Sequence, residues 1–414
     1  MKEPDIRVGI LTDGAPVLEK RGKLTHVANL LIGDGFHWRQ SIEADFEGQM
    51  FKLPEPQGHV HLINKLPLER YLMSVTGSEM NPNAPLEFLK AHAIISRSWA
   101  MGKLLRSAKG GRGLRGAEDG TAGKVDTPEM IVDWMDACDH EGFDVCSDDH
   151  CQRYQGIVSD KIQETRYKIQ DTSDKRQETS DKRQETRDKC VFVGEKGLDK
   201  LTQALKETRG MVLTDRHGRI ADARFSKCCG GKTEKFSTCW KEKSVDYLRS
   251  LYDPFCDLTE LDEAEKEDFL QRTLKNYDRS LADPNDWTVT VTLGDITRWV
   301  REKFHRNIGD VTGLEIAEKT RGGRVKMLRI LGTEGELTVG KELMVRRALS
   351  ESHLYSAMFN FTIDGDLVTI HGHGWGHGVG LCQIGAARMA DLNYDFRDIL
   401  EFYYPHSKLT KLYE

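Results

Sequence analysis

The sequence lacks any apolar run near the roughly 18 residues that a membrane-spanning helix needs, so no transmembrane segment is expected. It also lacks a basic excess: 60 Lys and Arg stand against 66 Asp and Glu, a formal net charge of -6 that argues against nucleic acid as a partner. Nine cysteines in 414 residues are too sparse for a disulfide scaffold. The opening MKEPDIRVGILTDG has no long apolar core before a cleavage site, so the chain as given shows no export signal.

What is present is enough length for two or three domains, or for one elaborate unit. Short strand-like stretches (IRVGIL, ANLLIGDGFHW and HVHLIN) predict an N-terminal β-rich segment over residues 1–65. Helical spacing starts after Leu66, with Pro67 at a first helical position, and a second helix is expected from near Pro85. We therefore expect an α+β fold, with mixed β layers and a helical segment.

The remaining organisation follows from composition and periodicity. A core is expected over residues 66–260, an α+β accessory piece over residues 261–350, and a C-terminal part of the core over residues 351–414. Four heptads (SDKIQET, RYKIQDT and SDKRQET twice) lie within residues 159–189 and lack the apolar seam of a coiled coil, so we interpret them as a solvated insertion, with partner binding as the alternative. The Gly-rich stretch KGGRGLRGAEDGTAGK predicts a flexible loop.

Glycine occupies every second position of HGHGWGHGVG, from His371 to Gly380. In a strand, alternate side chains point to opposite faces, so this pattern predicts one bare face and one face lined by histidines and Trp375. Glycine within a strand often marks the close approach of a ligand or of another backbone. A histidine metal cluster, a groove for a polymer, and close strand packing in a core are the three interpretations of this run.

A candidate metal site lies in HEGFDVCSDDHC. Two thiolates and two imidazoles complete the closed tetrahedral shell of a structural Zn²⁺ ion, and the four ligands here would be His140, Cys146, His150 and Cys151. Adjacent ligands require the loop to fold tightly around the ion. The alternative is a disulfide between Cys146 and Cys151, or free thiols; Cys138 is a spare ligand.

Two charged residues stand in apolar helical surroundings. Glu79, in SEMNP at the joint of the two expected helices, is a candidate general acid because partial desolvation raises the pKa of a carboxyl group. The alternative is a solvated or helix-capping glutamate. Arg97, in AHAIISRSWA, is costly to bury unless it pairs with Glu79, with another carboxylate or with an anionic substrate group.

The cysteine pair in RFSKCCGGKTE has two interpretations. Cys228 and Cys229 either form a nucleophile turn or stand in a tight turn with one cysteine in a disulfide to Cys239 or Cys256. Cys382, which follows the glycine run, is expected to be a core residue.

Taken together, five stretches resemble, in this order, the SpoIID/LytB (stage II sporulation protein D) family. They are LPLERYLMSVTGSEMNPNAPLEFLKAHAIISRSWA, DVCSDDHCQRYQG, FSKCCGGKTE, YLRSLYDPFC and GHGWGHGVGLCQIGAARMA. The resemblance spans most of the chain from about residue 60 to the end, and GHGWGHGVG followed by Gln383 and Gly385 is its most specific part. The heptad insertion is foreign to the family pattern.

The resemblance implies a peptidoglycan lytic transglycosylase that cleaves MurNAc–GlcNAc bonds of glycan strands, especially strands stripped of stem peptides, and leaves 1,6-anhydro-MurNAc ends. It implies Glu79 as the catalytic acid and base, Arg97 as a further catalytic residue, and Zn on the His140 set. It also implies an extracytoplasmic location, despite the missing export signal, and an N-acetylmuramoyl-L-alanine amidase as a further partner. With this resemblance, the helical segment is expected to be catalytic and to border a glycan-binding cleft, and the glycine run is interpreted as part of that groove and not as a metal site. Candidate substrate-binding residues are Ser226, Gly230, His373, Trp375, His377 and Gln383.

Two rival functions remain at this point. A noncatalytic, glycan-binding amidase enhancer would tolerate loss of the Glu79 carboxyl. A metal hydrolase built on the histidines of the glycine run would depend on His377 and survive changes at Glu79.

Overall fold

A computed structural model describes residues 1–34, 39–108, 123–134, 140–158, 195–275, 278 and 283–414. Over these residues the protein has an α+β fold, as the sequence predicts. The heptad insertion, most of the Gly-rich loop, Cys138 and Cys190 lie outside the described residues.

The N-terminal region forms two small antiparallel sheets. One contains β5, β6 and β1 in that order, and the other contains β2, β3 and β4. Burial alternates along β6, where every second side chain points into the core. Six strands thus lie in the region that the sequence predicts to be β-rich, and the last of them runs on to Pro67. The strands are β1 (Asp5–Leu11), β2 (Leu18–Arg21), β3 (Leu24–Ile32), β4 (Gln40–Phe46), β5 (Gln49–Gln57) and β6 (Val60–Pro67).

Two helices follow directly, as predicted: α1 (Leu68–Glu79) and α2 (Leu86–Ala108). α2 lies between two hydrophobic clusters, because Ile94 and Ile95 pack into one of them and Ala93 and Trp99 into the other. A helix that is apolar on all sides is a buried helix. α2 therefore forms the centre of the molecule, and α1 packs against it with its C-terminal end directed toward the candidate site.

Short elements connect this centre to the rest of the chain. β9 pairs in parallel with β1, so the loop that carries the candidate metal ligands is attached to the N-terminal sheet. The elements are β7 (Val125–Asp126), β8 (Met130–Val132), β9 (Val145–Cys146), α3 (Glu195–Glu207), β10 (Met211–Thr214), β11 (Phe225–Ser226), α4 (Phe236–Cys239) and a 3-10 turn at Pro254–Cys256.

The expected accessory elements are present. This part of the chain contains a charged helix, the strand WTVTVT, an amphipathic helix and three further strands before residue 341. β17 pairs with β12 on one side and with β16 on the other, and these strands share one hydrophobic core, so this packing unit continues past residue 350. The elements are α5 (Glu263–Thr273), β12 (Trp287–Thr292), α6 (Leu293–Phe304), β13 (Val311–Lys319), β14 (Val325–Gly332), β15 (Glu336–Gly340), α7 (Glu342–Ala348), β16 (Phe359–Asp364) and β17 (Leu367–Gly372).

The glycine run is not the continuous strand that its alternation predicts. β17 ends at Gly372, and the next four glycines of the run all have positive φ angles, which turn the chain at every second residue. At Gly380 a Cβ atom would lie 2.0 Å from the carbonyl oxygen of Arg224, and at Gly378 it would lie 2.3 Å from the Arg324 guanidinium. Protein atoms therefore occupy the bare side of the run at Gly378 and Gly380, as in the close-packing interpretation, and a sugar chain has no room there.

The chain ends in the central core. The last elements are β18 (Leu381–Cys382), α8 (Gln383–Asp391), α9 (Phe396–Tyr403) and β19 (Lys408–Lys411). β18 pairs in parallel with β11, and β19 pairs with β10. These pairings place the end of the glycine run beside the FSKCCGG segment.

Candidate active site around Glu79 and candidate metal centre

Glu79 is the last residue of α1, and its side chain is buried, with 6 % of the residue exposed. Its Oε1 atom accepts a hydrogen bond of 2.9 Å from the backbone N–H of Arg153, and its Oε2 atom lies 4.0 Å from Arg153 Nε. The carbonyl of Glu79 accepts a hydrogen bond of 3.1 Å from Lys227 Nζ, and that of Gly77 accepts one of 2.9 Å from Lys275 Nζ. Lysines thus satisfy the free carbonyls at the negative end of this helix.

A buried network of charges surrounds the carboxyl group. Arg153 donates two hydrogen bonds through Nη1 to the carboxylate of Asp278, at 2.9 and 2.8 Å, and a third through Nε to Asp149, at 2.7 Å. Lys227 Nζ lies 2.9 Å from the same Asp278 carboxylate. Arg153 and Lys227 are therefore both paired with the Asp278 carboxylate. Glu79 joins the network through its contacts with Arg153.

The network separates the protonation states of its carboxyl groups. Burial raises the pKa of Glu79, and the charge of Asp149 adds to this, although Arg153 and Lys227 act in the opposite direction. Burial also opposes ionisation of Asp278, but Arg153 and Lys227 outweigh it and hold the pKa of that carboxyl below its usual value. The site thus contains one carboxyl that favours its proton beside one that stays ionised, which is the pattern of a general acid in a charged setting.

Arg97 does not contact Glu79. Its guanidinium is fully buried and forms a two-pronged pair with Glu69, at 2.9 Å from Nε and 2.8 Å from Nη2. A further hydrogen bond of 3.0 Å goes to the carbonyl of Met211, and Tyr413 donates its hydroxyl to Glu69 at 2.7 Å. Of the three partners that the sequence leaves open for Arg97, the structure gives another carboxylate, and the pair links α1, α2 and the C-terminal tail.

Loss of either partner of this pair should destabilise the fold without removing catalysis. Glu69→Leu or Arg97→Met leaves one buried charge without its partner, and such changes cost about 3–5 kcal/mol of unfolding free energy. The double variant should be less destabilised than either single variant, because no unpaired charge remains. Urea unfolding of the three variants measures this, and activity per folded molecule should change only a few-fold. A large loss of activity with unchanged stability would instead place Arg97 at the substrate.

Most of the candidate substrate-binding residues are buried. Trp375 is a core residue with 6 % of its surface exposed, and its backbone N–H donates to the carbonyl of Cys228 at 2.8 Å. His377 packs edge-on against Trp240, and burial lowers the pKa of His377 to about 3, so it stays neutral. Gln383 is buried, and its amide lies 3.0 Å from Nε2 of His92.

The other three candidates differ in exposure. His373 is exposed, and its Nδ1 atom lies 2.6 Å from the carbonyl of Asn285. Ser226 is buried next to Lys227 in the sequence, and within the described residues its hydroxyl has no hydrogen-bond partner. Gly230 has a positive φ angle of 78° in the FSKCCGG turn. His373 is therefore the exposed side chain among the six candidates, and Ser226 is a buried one whose hydroxyl is unpaired within the described residues; all six assignments remain predictions.

The candidate metal ligands converge. The ligand atoms of His140, Cys146, His150 and Cys151 all lie within 4.8 Å of one another. His140 Nε2 lies 3.2 Å from Cys151 Sγ, and His150 Nδ1 lies 3.7 Å from Cys146 Sγ and 3.6 Å from Cys151 Sγ. Adjacent residues take part because the loop turns tightly, with the N–H of Cys151 bound to the carbonyl of Asp148 at 2.8 Å. Both cysteines are free, so the disulfide alternative does not form here.

This donor set fits a zinc ion. Zn–S and Zn–N bonds of about 2.3 and 2.0 Å in a tetrahedron place neighbouring ligand atoms about 3.5 Å apart, close to the spacing observed. Four protein ligands close the shell, which is the arrangement of a structural site. The same loop continues to Arg153, whose backbone N–H binds Glu79. The metal cluster and the candidate acid are therefore two parts of one local structure.

Sequence reasoning missed the charges around Glu79. Arg153 and Lys227 lie inside the stretches CQRYQG and FSKCCGG, but no residue near them in the sequence indicates which carboxylate they meet. Asp278 lies in a charged stretch with no motif, and His92 lies in the apolar run of α2. The one signal in the sequence that favours Arg153 and Lys227 is that each is a charged residue inside a motif stretch.

None of the helices that the structure describes is both long enough and apolar enough to cross a membrane.

Comparison with known proteins gives two matched regions. Residues 56–214 match the family described as stage II sporulation protein, and residues 234–380 match a domain of unknown function. The first region contains Glu79, Arg153 and all four candidate metal ligands. The histidines of the glycine run, by contrast, fall within the second region.

Similar full-length proteins point the same way. The chain is 26 % identical over 247 residues to the amidase enhancer of Bacillus subtilis strain 168, which covers 53 % of this chain and 34 % of that protein. It is 26 % identical over 219 residues to stage II sporulation protein D of the same organism, covering 52 % of this chain and 53 % of that protein. The stage II sporulation protein D of Bacillus amyloliquefaciens is 24 % identical over 344 residues, 83 % of this chain and 74 % of that protein.

The chain thus spans about a third of the amidase enhancer and about half of the Bacillus subtilis sporulation protein. The relatives and the matched family agree with each other and with the motifs around Glu79 and the metal cluster. These matches show that residues 56–214 are similar to the stage II sporulation protein family, and they support the resemblance of the chain to the SpoIID/LytB family.

Proposed function

We propose that the protein is a peptidoglycan lytic transglycosylase that cleaves MurNAc–GlcNAc bonds in peptide-stripped glycan strands, with Glu79 as its acid and base. The observation that carries this proposal is the burial of the Glu79 carboxyl beside Arg153 and Lys227. Burial favours the protonated acid before reaction. The two cations and the Arg153 N–H stabilise the carboxylate that remains after the proton has left.

One carboxyl group is sufficient for this reaction. Protonated Glu79 donates its proton to the glycosidic oxygen, and the bond from that oxygen to C1 of MurNAc breaks. The C6 hydroxyl of the same sugar then closes on C1, and the Glu79 carboxylate accepts the hydroxyl proton. No water is consumed, the GlcNAc end leaves with its hydroxyl, and the MurNAc end leaves as the 1,6-anhydro form. Glu79 returns to its protonated state.

The neighbouring carboxylates favour this chemistry over hydrolysis. A glycosidase with two acidic residues needs a second carboxylate that is free to activate water or to attack C1. Asp278 is buried and paired with both Arg153 and Lys227, and Asp149 is bound by Arg153. Both carboxylates are therefore engaged in holding cations. We assign sugar contacts to the side chains of Ser226 and His373.

A peptidoglycan substrate also places the protein in the cell envelope.

The test uses glycan strands from which an amidase has removed the stem peptides. The purified protein is incubated with the strands, and the new ends are identified by mass spectrometry. We expect 1,6-anhydro-MurNAc ends. Reducing MurNAc ends would mean hydrolysis and would contradict the proposal. Retained glycan binding with no cleavage would favour the second candidate, a noncatalytic enhancer of an N-acetylmuramoyl-L-alanine amidase, which the relative named amidase enhancer supports.

The pH dependence should identify the acid. Activity requires protonated Glu79, so kcat/KM should fall as the pH rises through its pKa, at a midpoint above the value of about 4.3 for an ordinary glutamate. Lys227→Met removes a charge that lowers this pKa, so the fall should move to higher pH. Asp149→Asn removes a charge that raises it, so the fall should move to lower pH. Initial rates across pH at constant ionic strength measure both shifts. Shifts in the same direction for the two variants, or no shift in either, would mean that another group titrates.

We also assign a structural zinc ion to His140, Cys146, His150 and Cys151. The support is the convergence of two thiols and two imidazoles with the spacing of a tetrahedral shell. When bound, the ion would hold the loop that carries Arg153. The closed shell has no open position for substrate, so the ion's contribution is the position of the loop and not the chemistry.

A further inference from the structure

A second group of thiols, separate from the His140 cluster, converges in the hydrophobic core. Cys229 Sγ lies 3.4 Å from Cys256 Sγ and 3.2 Å from Asp253 Oδ2. Cys382 Sγ accepts a hydrogen bond of 3.2 Å from the backbone N–H of Cys229. Ligand atoms from Cys229, Asp253, Cys256 and Cys382 all lie within 4.8 Å of one another, and all four residues are buried. Cys228 is a further buried cysteine, directly before Cys229 in the chain.

The surroundings suit charged sulfur atoms. Gly231 N–H donates to Cys256 Sγ at 3.0 Å, and Gly385 N–H donates to Cys382 Sγ at 3.4 Å, in addition to the bond from Cys229 N–H. Backbone donors of this kind stabilise thiolates and orient them around a metal. Asp253 is held in place by the hydroxyl of Tyr403, which donates to its Oδ2 atom at 2.8 Å.

Simple core packing does not account for this cluster. A single buried cysteine behaves as a small apolar residue. Here a fully buried carboxyl group stands among the thiols, and such a group is costly to bury unless it pairs or coordinates a metal. A disulfide between Cys229 and Cys256 would leave Cys382 and Asp253 without a role.

We propose that Cys229, Cys256 and Cys382, with Asp253 as the fourth ligand, bind a second metal ion. This ion would be zinc or another divalent metal that prefers thiolate ligands. Sulfur and carboxylate oxygen are both zinc ligands, and four of them complete a closed shell. Cys228 is the replacement ligand if the carboxylate does not bind. The site would be loaded as the chain folds, because its ligands are buried.

The proposed ion would join three separate segments. Cys229 follows the strand β11, Cys256 ends the 3-10 turn at Pro254–Cys256, and Cys382 ends β18 just before α8. The carbonyl of Lys227, two residues before Cys229, accepts a hydrogen bond of 3.1 Å from Ile384 N–H. The second ion would therefore fix the turn that holds Lys227 against α1. This role does not depend on what reaction Glu79 performs.

The experiment counts metal ions in the full chain. The protein is produced in zinc-supplemented medium, its intact mass is measured by native mass spectrometry, and its metal content is measured by elemental analysis. We expect two zinc ions per chain, falling to one in Cys256→Ser and to one in His150→Ala. Cys239→Ser is the matched control: this cysteine is buried, but its thiol points to the carbonyl of His377 and not into the cluster, so two ions should remain.

Wild-type protein alone also tests the proposal, in case the variants fail to fold. After unfolding, removal of metal and refolding with Co²⁺, the thiolate-to-cobalt absorption should continue to rise up to two equivalents of cobalt. Saturation at one equivalent would overturn the proposal. So would a Cys229–Cys256 disulfide found by peptide mapping under non-reducing conditions.

Discussion

Glu79→Gln should lower kcat/KM on peptide-stripped glycan strands by about 10²–10⁴-fold, the usual contribution of a positioned acid or base. Glutamine keeps the oxygen that accepts the Arg153 N–H bond and has nearly the same volume, so the fold should be preserved. It removes the one group that delivers and recovers the proton. The anhydro-MurNAc product measured by mass spectrometry should fall by the same factor.

Glu260→Gln provides the control, because it is the same chemical change at an exposed glutamate. Its kcat/KM should equal that of the wild type. Glycan binding by Glu79→Gln should also stay close to wild type, since the change alters no charge at pH values where Glu79 holds its proton. Full cleavage activity in Glu79→Gln would exclude it as the acid. Amidase stimulation without any cleavage in either protein would favour the enhancer function.

The sequence predicts the regular elements well because local rules decide them. The apolar spacing of α1 and the Thr292–Asp295 capping box of α6 each depend on residues within one turn of the helix. The glycine run shows the limit of such rules. A strand and a chain that turns at alternate glycines both produce a period of two. Which of the two conformations forms depends on Arg224 and Arg324, which approach from distant parts of the chain.

The same distinction holds for the site. The four ligands from His140 to Cys151 are close in sequence, so their convergence needs only a tight loop. Arg97 is different: its partner Glu69 lies 28 residues away, and Glu79 is an equally plausible partner from sequence alone. The cations around Glu79 come from 74 and 148 residues away. Pairings of this range are set by tertiary packing, and no periodicity records them.

Loss of the Cys/His metal centre should be the second large effect. His150→Ala or Cys151→Ser removes one of four ligands, so the ion should be lost from the centre, and the loop loses the bonds that fold it. Structural zinc contributes its binding free energy to folding. We expect the thermal midpoint to fall by about 5–10 °C, which corresponds to a loss of a few kcal/mol. Differential scanning calorimetry and elemental analysis measure both quantities.

Activity should fall together with the metal, because the loop delivers the Arg153 N–H to Oε1 of Glu79 and Arg153 to Asp278. Cys239→Ser is again the matched control and should keep both metal and activity. If His150→Ala lost its metal but kept the wild-type kcat/KM, the loop would be independent of the acid. The pairing of Arg153 with Glu79 would then have no part in catalysis.

Replacement of the metal separates a structural role from a chemical one. In a closed Cys/His shell the ion touches no substrate, so protein refolded with Co²⁺ or Cd²⁺ should keep kcat within a few-fold of the zinc form. A metal that acted as a Lewis acid would change kcat with its identity, because it would polarise a reacting oxygen directly. A strong dependence of kcat on the metal would therefore contradict Glu79 as the sole acid and base and move the chemistry toward the metal centre.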